Sequence, residues 1–110
     1  AIKAPLVTQI ACRSVAKVLK EKAGLLPEFK RPNDLLIKGR KICGVLVEAK
    51  GKSDGTLESL VIGIGINVNS KREELLPEAT SILEETGKKY PRQGLFKELL
   101  AQLKRDLKEW

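Results

Sequence analysis

Residues 30–48 read KRPNDLLIKGRKICGVLVE, and this stretch decides how the rest of the chain is arranged. Pro32 fixes its own φ and disfavours a helical conformation for Arg31 before it, so a helix is not expected to run through this point. The sequence therefore predicts a sharp, stiff corner. An amide, Asn33, and a carboxylate, Asp34, lie at the exit of that corner.

Two short apolar runs follow the corner and predict a β-hairpin. They cover residues 34–37 and 42–47, and the residues between them include Gly39, which can adopt the positive φ of a tight turn. The hairpin would place Asp34 at one end of a strand. A cluster of cations would lie at the other end, only a few residues away: Lys38, Arg40 and Lys41.

Length and charge limit the classes of protein to consider. The chain of 110 residues suffices for one small domain, and the absence of Met together with Ala1 at the start leads us to expect a piece of a longer protein. The formal charge of +7 would suit nucleic acid, anionic lipid or phosphorylated small molecules. An aromatic content of 4% offers few side chains for stacking on bases.

Cysteine usage and hydropathy argue against a disulfide framework, a zinc site and a membrane segment. Cys12 and Cys43 are the two cysteines, and the chain has no His to complete a zinc site with them. No apolar run approaches the roughly 18 residues that cross a bilayer. These features predict buried, reduced cysteines and a cytoplasmic protein without a metal site of its own.

Three segments carry helical periodicity. The first runs from Pro5, which suits a first turn, to Gly24, which suits a C-terminal stop. The second begins at Pro77 and ends at Gly87, and the third is an amphipathic helix from Pro91 onward. Its apolar positions are Leu95, Leu99, Leu103 and Leu107, flanked by Phe96, Leu100 and Trp110.

Residues 57–68 form the longest β pattern, and the two faces of that strand differ sharply. One face is aliphatic, whereas the other has almost no side chains in its middle and ends in amides: Val61, Gly63, Gly65, Asn67 and Asn69. A flat molecule could lie there with Asn67 at its edge, or the glycines could mark a bulge or a strong twist. Spacing alone favours neither reading. A dinucleotide-binding fingerprint is excluded because its third glycine is missing.

The order of elements indicates the fold class. A helix is followed by a hairpin, a long strand and further helices, and the strands are close together in sequence. We therefore expect an α+β fold in which helices cover an antiparallel or mixed sheet.

Three motifs in this order resemble the central part of the catalytic domain of biotin protein ligases. They are Lys30-Arg31-Pro32-Asn33-Asp34, the segment from Gly39 to Glu48, and Gly63-Ile64-Gly65-Ile66-Asn67-Val68-Asn69. The usual family patterns are KWPND, a lysine before a small-residue-Gly step into a strand ending in Glu, and GIGIN. The resemblance implies a biotin/lipoate ligase-like fold, similar to class II synthetases. It also implies that residues 1–110 are a single fragment of that domain, without the upstream biotin-binding loop and the C-terminal small β-barrel domain.

The resemblance implies an ATP-dependent ligase that forms a C–N bond in two steps. Biotin and ATP give biotinyl-5′-adenylate and pyrophosphate, with Mg²⁺ bridging the phosphates, and a lysine of a biotin carrier domain then takes the biotinyl group. The carrier domain of a biotin-dependent carboxylase is the implied partner, and some family members form homodimers. DNA would be a partner only if the parent protein carried an N-terminal DNA-binding domain.

Two catalytic residues are implied by the resemblance. Lys41 corresponds to a lysine that contacts the biotin carboxylate and the phosphate, where a fixed ammonium can neutralise the charge of the transition state. Asp34 corresponds to an acidic residue that positions or deprotonates the incoming lysine. From the residues alone, Asp34 could instead be a turn carboxylate that caps nearby N–H groups.

The same resemblance implies a set of residues that bind biotin and the adenylate: Lys30, Asn33, Lys41, Gly44, Gly63, Gly65 and Asn67. Asn67 matches an asparagine that hydrogen-bonds adenine, because an amide offers a donor and an acceptor to one base edge. Asn33 would order the corner and the adenylate. The glycines match places where the ligand approaches the backbone closely.

One departure and several alternatives remain open. Arg31 stands where the family usually has Trp, which removes an aromatic platform and adds a charge. A lipoate or octanoate ligase or transferase would have a similar fold, and a nucleic-acid-binding module would suit the net charge. A degenerate or regulatory ligase-like domain is a third reading. Because the upstream loop is missing, we expect residues 1–110 alone to be a poor catalyst or none.

Overall fold

A computed structural model of the chain describes residues 4–108 and contains one antiparallel sheet with helices. The elements are α1 (Ala4–Ala23), β1 (Glu28–Lys30), β2 (Asp34–Ile37), β3 (Arg40–Gly51), β4 (Leu57–Ile66), a 3₁₀ helix (Arg72–Glu74), α2 (Ile82–Thr86) and α3 (Arg92–Lys108). The strands pair in the order β1-β2-β3-β4, and each neighbouring pair is antiparallel. The predicted α+β fold is confirmed.

The predicted hairpin is confirmed, with a shorter turn than expected. Lys38 and Gly39 connect β2 to β3, and both have positive φ, 51° and 81°. Two-residue turns with positive φ match the right-handed twist of the flanking strands. Because two residues complete the turn, Arg40 and Lys41 belong to β3 and not to the connection.

The predicted corner connects β1 to β2. Lys30 is the register partner of Asp34, and the chain turns between them through a cis Arg31–Pro32 peptide bond. The backbone oxygen of Asn33 accepts a hydrogen bond from the backbone N–H of Val45 at 2.9 Å. The corner is therefore held by β3 as well as by its own strands.

The core lies between α1, α3 and one face of the sheet. Its buried residues include Ala11, Cys12, Val15, Val18, Leu19, Leu35, Ile37, Ile42, Cys43, Val45, Leu95 and Leu99. Both cysteines are buried and free, as predicted. Burial raises the pKa of the Cys12 thiol to about 11 and that of the Cys43 thiol to about 12, so both stay protonated at neutral pH. Gly24 and Gly87 follow α1 and α2 with φ of 67° and 76°, which confirms both predicted helix ends.

The last strand ends earlier than predicted. We expected it to reach Val68, but β4 ends at Ile66. The backbone oxygens of Asn67 and Val68 accept hydrogen bonds from Ile82 N and Leu83 N, at 3.0 and 2.9 Å. These two carbonyl groups therefore pair with the start of α2.

The predicted start of the second helix is wrong by five residues. The helix begins at Ile82 and not at Pro77, because the Ser81 hydroxyl caps it by accepting a backbone N–H at 3.0 Å. The chain before Ser81 runs beside the sheet instead, where Ala79 forms an isolated parallel bridge with Lys41. A pairing with a residue so distant in sequence leaves no local pattern.

The third helix is confirmed as amphipathic. Leu95 and Leu99 are buried, whereas Phe96 and Leu100 on its flanks are exposed. Trp110, which we placed on the same helix, lies outside the described residues. Across residues 4–108, no helix is long and apolar enough to cross a membrane.

Candidate functional site

One row across the sheet brings four of the predicted site residues together. The register pairs Lys30 with Asp34, Asp34 with Gly44, and Gly44 with Gly65. Directly paired residues in adjacent strands point to the same face, so the four residues lie side by side. Because α1 covers the opposite face, we call this the open face; its residues are Lys30, Asp34, Gly44, Leu46, Val61, Gly63 and Gly65.

The glycines of the open face are not explained by backbone conformation. Gly44, Gly63 and Gly65 are absent from the glycines with positive φ. β3 and β4 pair without a shift from Cys43 opposite Ile66 to Lys50 opposite Ser59, and the register shifts beyond that point, between Lys50 and Gly51. A β-bulge at these glycines, which the sequence left open beside a strong twist, is therefore not present.

The fold leaves room for side chains above two of these glycines. A Cβ on Gly63 would meet the Leu46 oxygen at 3.6 Å, and a Cβ on Gly65 would meet the Gly44 oxygen at 4.0 Å. Both are ordinary van der Waals distances. Packing among the described residues therefore does not require glycine at positions 63 and 65, which favours the reading that the open face accommodates a flat molecule.

A β-bulge brings Lys41 toward this row. Leu35 pairs with Cys43 but Leu36 pairs with Lys41, so Ile42 is an extra residue in β3. Ile42 and Cys43 are consecutive in sequence and both are buried, which a regular strand would not allow. Sequence reasoning missed this bulge.

The backbone of Lys41 is fixed from the side that faces away from β2. Its N–H donates to the Glu78 oxygen and its oxygen accepts from Thr80 N, both at 2.8 Å. Sequence reasoning missed this segment, because an apolar pattern of helical period hid its extended pairing.

Lys41 and Asp34 form an ion pair above Gly44. The Lys41 Nζ lies 3.2 Å from the Asp34 Oδ1, and the two side chains are 49% and 25% exposed. A Cβ on Gly44 would lie 3.0 Å from both Cε and Nζ of Lys41 and 3.6 Å from the Asp34 Oδ1. We expected a ligand to approach the backbone at Gly44. In this structure the space above it holds the Lys41 side chain.

Asn67 lies just beyond β4, at the end of the row of glycines. Its Nδ2 donates to the Thr80 oxygen at 3.0 Å, which fixes the plane of the amide and uses one of its two N–H donors. The amide borders a cavity of about 420 Å³ lined by Ile66, Asn67, Val68, Asn69, Ser70, Glu74 and Arg92. The predicted contact of Asn67 with adenine would have to use its remaining polar atoms.

Arg31 does not belong to the open face. Phe29 of β1 pairs with the buried Leu35 and so lies on the α1 side. Arg31, in the turn after β1, lines a separate cavity of about 360 Å³ on that side with Arg13, Cys12 and Leu35. Lys38 and Arg40, the other two members of the predicted cation cluster, are exposed. The residue that replaces the usual Trp therefore lies on the other side of the sheet from the Lys41–Asp34 pair.

A model of the biotin/lipoate A/B protein ligase family matches residues 2–67, more than half of the chain. The chain belongs to this family. The resemblance to biotin protein ligases in the sequence is thereby confirmed. The bifunctional ligase/repressor BirA of Bacillus subtilis is 38% identical over 102 residues, which are 89% of this chain and 31% of that protein. The biotin–[acetyl-CoA-carboxylase] ligase of Mycobacterium tuberculosis is 33% identical over 82 residues, or 74% of this chain and 29% of that protein.

Solved structures of family members share the fold. The biotin protein ligase of Aquifex aeolicus matches 96% of this chain with a TM-score of 0.81 and 31% identity, and 46% of the Aquifex chain is covered. The same enzyme in complex with biotin and ATP matches 99% of this chain with a TM-score of 0.79 and 29% identity, over 45% of that structure. The chain thus spans about a third of the curated relatives and under half of these structures.

Proposed function

We propose that residues 1–110 form a single part of the catalytic domain of a cytoplasmic biotin protein ligase. This enzyme would use ATP to attach biotin to a lysine of a biotin carrier domain. The observation that carries the proposal is the row Lys30–Asp34–Gly44–Gly65, which places a cation, a carboxylate and a bare backbone surface side by side. Relatives named as biotin ligases, and a structure with biotin and ATP, support this choice of substrates.

In the first step, the biotin carboxylate oxygen attacks the α-phosphorus of ATP. The bond from that phosphorus to the bridging oxygen of pyrophosphate breaks, and biotinyl-5′-adenylate forms. The carboxylate and the triphosphate repel each other, so an ammonium between them lowers the barrier by neutralising both. Lys41 is suited to this role because its backbone is hydrogen-bonded on both sides while its side chain remains half exposed.

In the second step, the carrier lysine attacks the carbonyl carbon of the adenylate. The C–O bond to the phosphate breaks, AMP leaves, and the amine must lose a proton. Asp34 lies in the same row as Gly44, with its carboxylate at the open face, where it can accept that proton or orient the amine. Asn33 precedes it in the corner and would order both the corner and the adenylate.

The open face would hold the flat parts of the ligand. Gly63 and Gly65 leave the sheet bare without strain, and Asn67 borders the cavity at the end of β4. We assign the adenine to the Asn67 end and the reacting phosphate to the Lys41 end. Lys30, exposed at the edge of the row, would add a positive charge for the anionic ligand.

Mg²⁺ would enter with ATP. Within residues 4–108, no group of three or more acidic, His or Cys side chains is arranged to hold a metal ion. This fits a metal that binds chiefly through substrate phosphates and water, as Mg²⁺ does in many nucleotide sites. Bound there, it would neutralise phosphate charge.

The first test is ATP–pyrophosphate exchange by the complete protein, with and without biotin. We expect biotin-dependent exchange that falls at least about 100-fold in Lys41→Ala, because the ammonium acts on the developing charge. Exchange with lipoate or octanoate but not with biotin would identify the protein as a lipoate or octanoate ligase instead. Absence of exchange with every acid would reject the proposed function. Residues 1–110 alone should be nearly inactive.

A further inference from the structure

We propose that Lys41 exchanges between two anionic partners, Asp34 before ATP binds and the phosphate of ATP afterwards. The inference rests on the proposed function in one respect, since it takes ATP as the ligand of the open face. It adds an order of events to the proposed two-step reaction: Asp34 becomes available to the carrier lysine only after ATP has drawn Lys41 away.

The Lys41–Asp34 ion pair is formed in this structure, but the Lys41 side chain is free to leave it. In the part of the chain that the structure describes, the contact with Lys41 is the one ion pair of Asp34. Half of the Lys41 side chain is exposed, and its four-carbon stem can rotate about a fixed backbone. The ammonium can therefore move while the strand stays in place.

Gly44 is the positioning residue for the arrangement before ATP binds, in which Lys41 pairs with Asp34. A Cβ there would lie 3.0 Å from Lys41 Cε and Nζ, so the end of the Lys41 side chain would have to shift by a few tenths of an ångström and its pairing with Asp34 would be disturbed. The neighbouring Gly65 has no such relation to Lys41. The bare surface at Gly44 thus accommodates the lysine, and that at Gly65 is left for a ligand.

Charge decides which partner prevails. A single carboxylate holds the ammonium in the free protein, whereas ATP brings several negative charges to the same face. A half-exposed ion pair contributes little, equivalent to about a 1.5- to 5-fold change in an equilibrium constant, so a multiply charged ligand can displace it. Once displaced, the Asp34 carboxylate is free to accept a hydrogen bond from an incoming amine.

The test is the affinity for ATP, measured by isothermal titration calorimetry on the complete protein. The variants are Asp34→Asn, Lys41→Ala and the double variant. If Asp34 competes with ATP for Lys41, Asp34→Asn should bind ATP about two- to fivefold more tightly than wild type. In the Lys41→Ala background the same substitution should bring no gain, because no ammonium remains to be released.

Three results would overturn the exchange of partners. Equal or weaker ATP binding by Asp34→Asn would mean that Asp34 supports Lys41 in the bound state. A gain that persists without Lys41 would reflect only the loss of a negative charge near the phosphate. Absence of ATP binding by wild type would remove the second partner. Pyrophosphate exchange separates this inference from the proposed function, because biotin-dependent exchange without the affinity gain rejects the partner exchange alone.

Discussion

Replacing Gly44 by Ala should separate the position of Lys41 from the stability of the fold. The new Cβ would lie 3.0 Å from Lys41 Cε and Nζ, whereas carbon atoms in normal contact are about 3.5–4.0 Å apart. The flexible end of the Lys41 side chain must therefore shift by a few tenths of an ångström. Gly44 is not among the glycines with positive φ, so the backbone can accept Ala without moving.

The size of the effect follows from these distances. The shift disturbs the arrangement in which Lys41 pairs with Asp34, so Gly44→Ala should release the ammonium and tighten ATP binding by up to about fivefold, the equivalent of a half-exposed ion pair. The free energy of unfolding should change by less than about 1 kcal/mol, because only a partly exposed ion pair is disturbed. Urea unfolding and titration calorimetry with ATP on the same preparation measure both quantities.

A double-mutant cycle provides the control for this prediction. In a Lys41→Ala background, Gly44→Ala should have little further effect on the affinity for ATP, because the group that it displaces is gone. Gly65→Ala, directly opposite on β4, should act independently of Lys41. The reasoning is refuted if Gly44→Ala binds ATP no more tightly than wild type, or if its effect persists in full without Lys41.

Two further predictions concern residues away from the open face. Burial raises the pKa of Asp106, but hydrogen bonds from Ser14, Lys17 and Gln102 outweigh it and hold that pKa below its usual value. The carboxylate therefore stabilises the fold above about pH 4, the usual pKa of Asp, and this stabilisation is lost as the pH falls through the lowered folded pKa. Asp106→Asn should lower the free energy of unfolding by about 1–2 kcal/mol at pH 7 and by progressively less as the pH falls below about 4. A difference that is independent of pH would contradict this. Arg31→Trp should change the rate of ATP–pyrophosphate exchange less than about twofold. Arg31 lies on the α1 side of the sheet, so its charge does not contribute to electrostatic stabilisation at the open face. A tenfold change in the rate would show that Arg31 acts on the open face.

Local chemistry explains why much of the fold could be predicted. Gly24, Gly39 and Gly87 all adopt the positive φ that their positions in the sequence suggested. The hairpin and the amphipathic helices follow from periodicity, which depends on neighbouring residues only. The row of site residues across the sheet could also be predicted, since a correct hairpin register places Asp34 beside Gly44.

Interactions between distant segments account for some of the errors. The bulge at Ile42 and the bridge from Lys41 to Ala79 are set by packing and by hydrogen bonds between separate parts of the chain. Neither has a local signature. The wrong start of the second helix at Pro77 has a different cause, because a local signal was present: the Ser81 side chain can accept the N-cap hydrogen bond, whereas Pro77 has no such group. The role of Gly44 depended on where a lysine three residues earlier would lie.

Thr80 connects the two ends of the nucleotide-binding surface that we propose. Its N–H donates to the Lys41 oxygen at 2.8 Å, and its own oxygen accepts from the Asn67 amide at 3.0 Å. One buried residue thus sets the spacing between the group assigned to the phosphate and the group assigned to the base. A displacement of Thr80 would move Lys41 and Asn67 together, so the distance between the phosphate contact and the base contact depends on the position of a single residue.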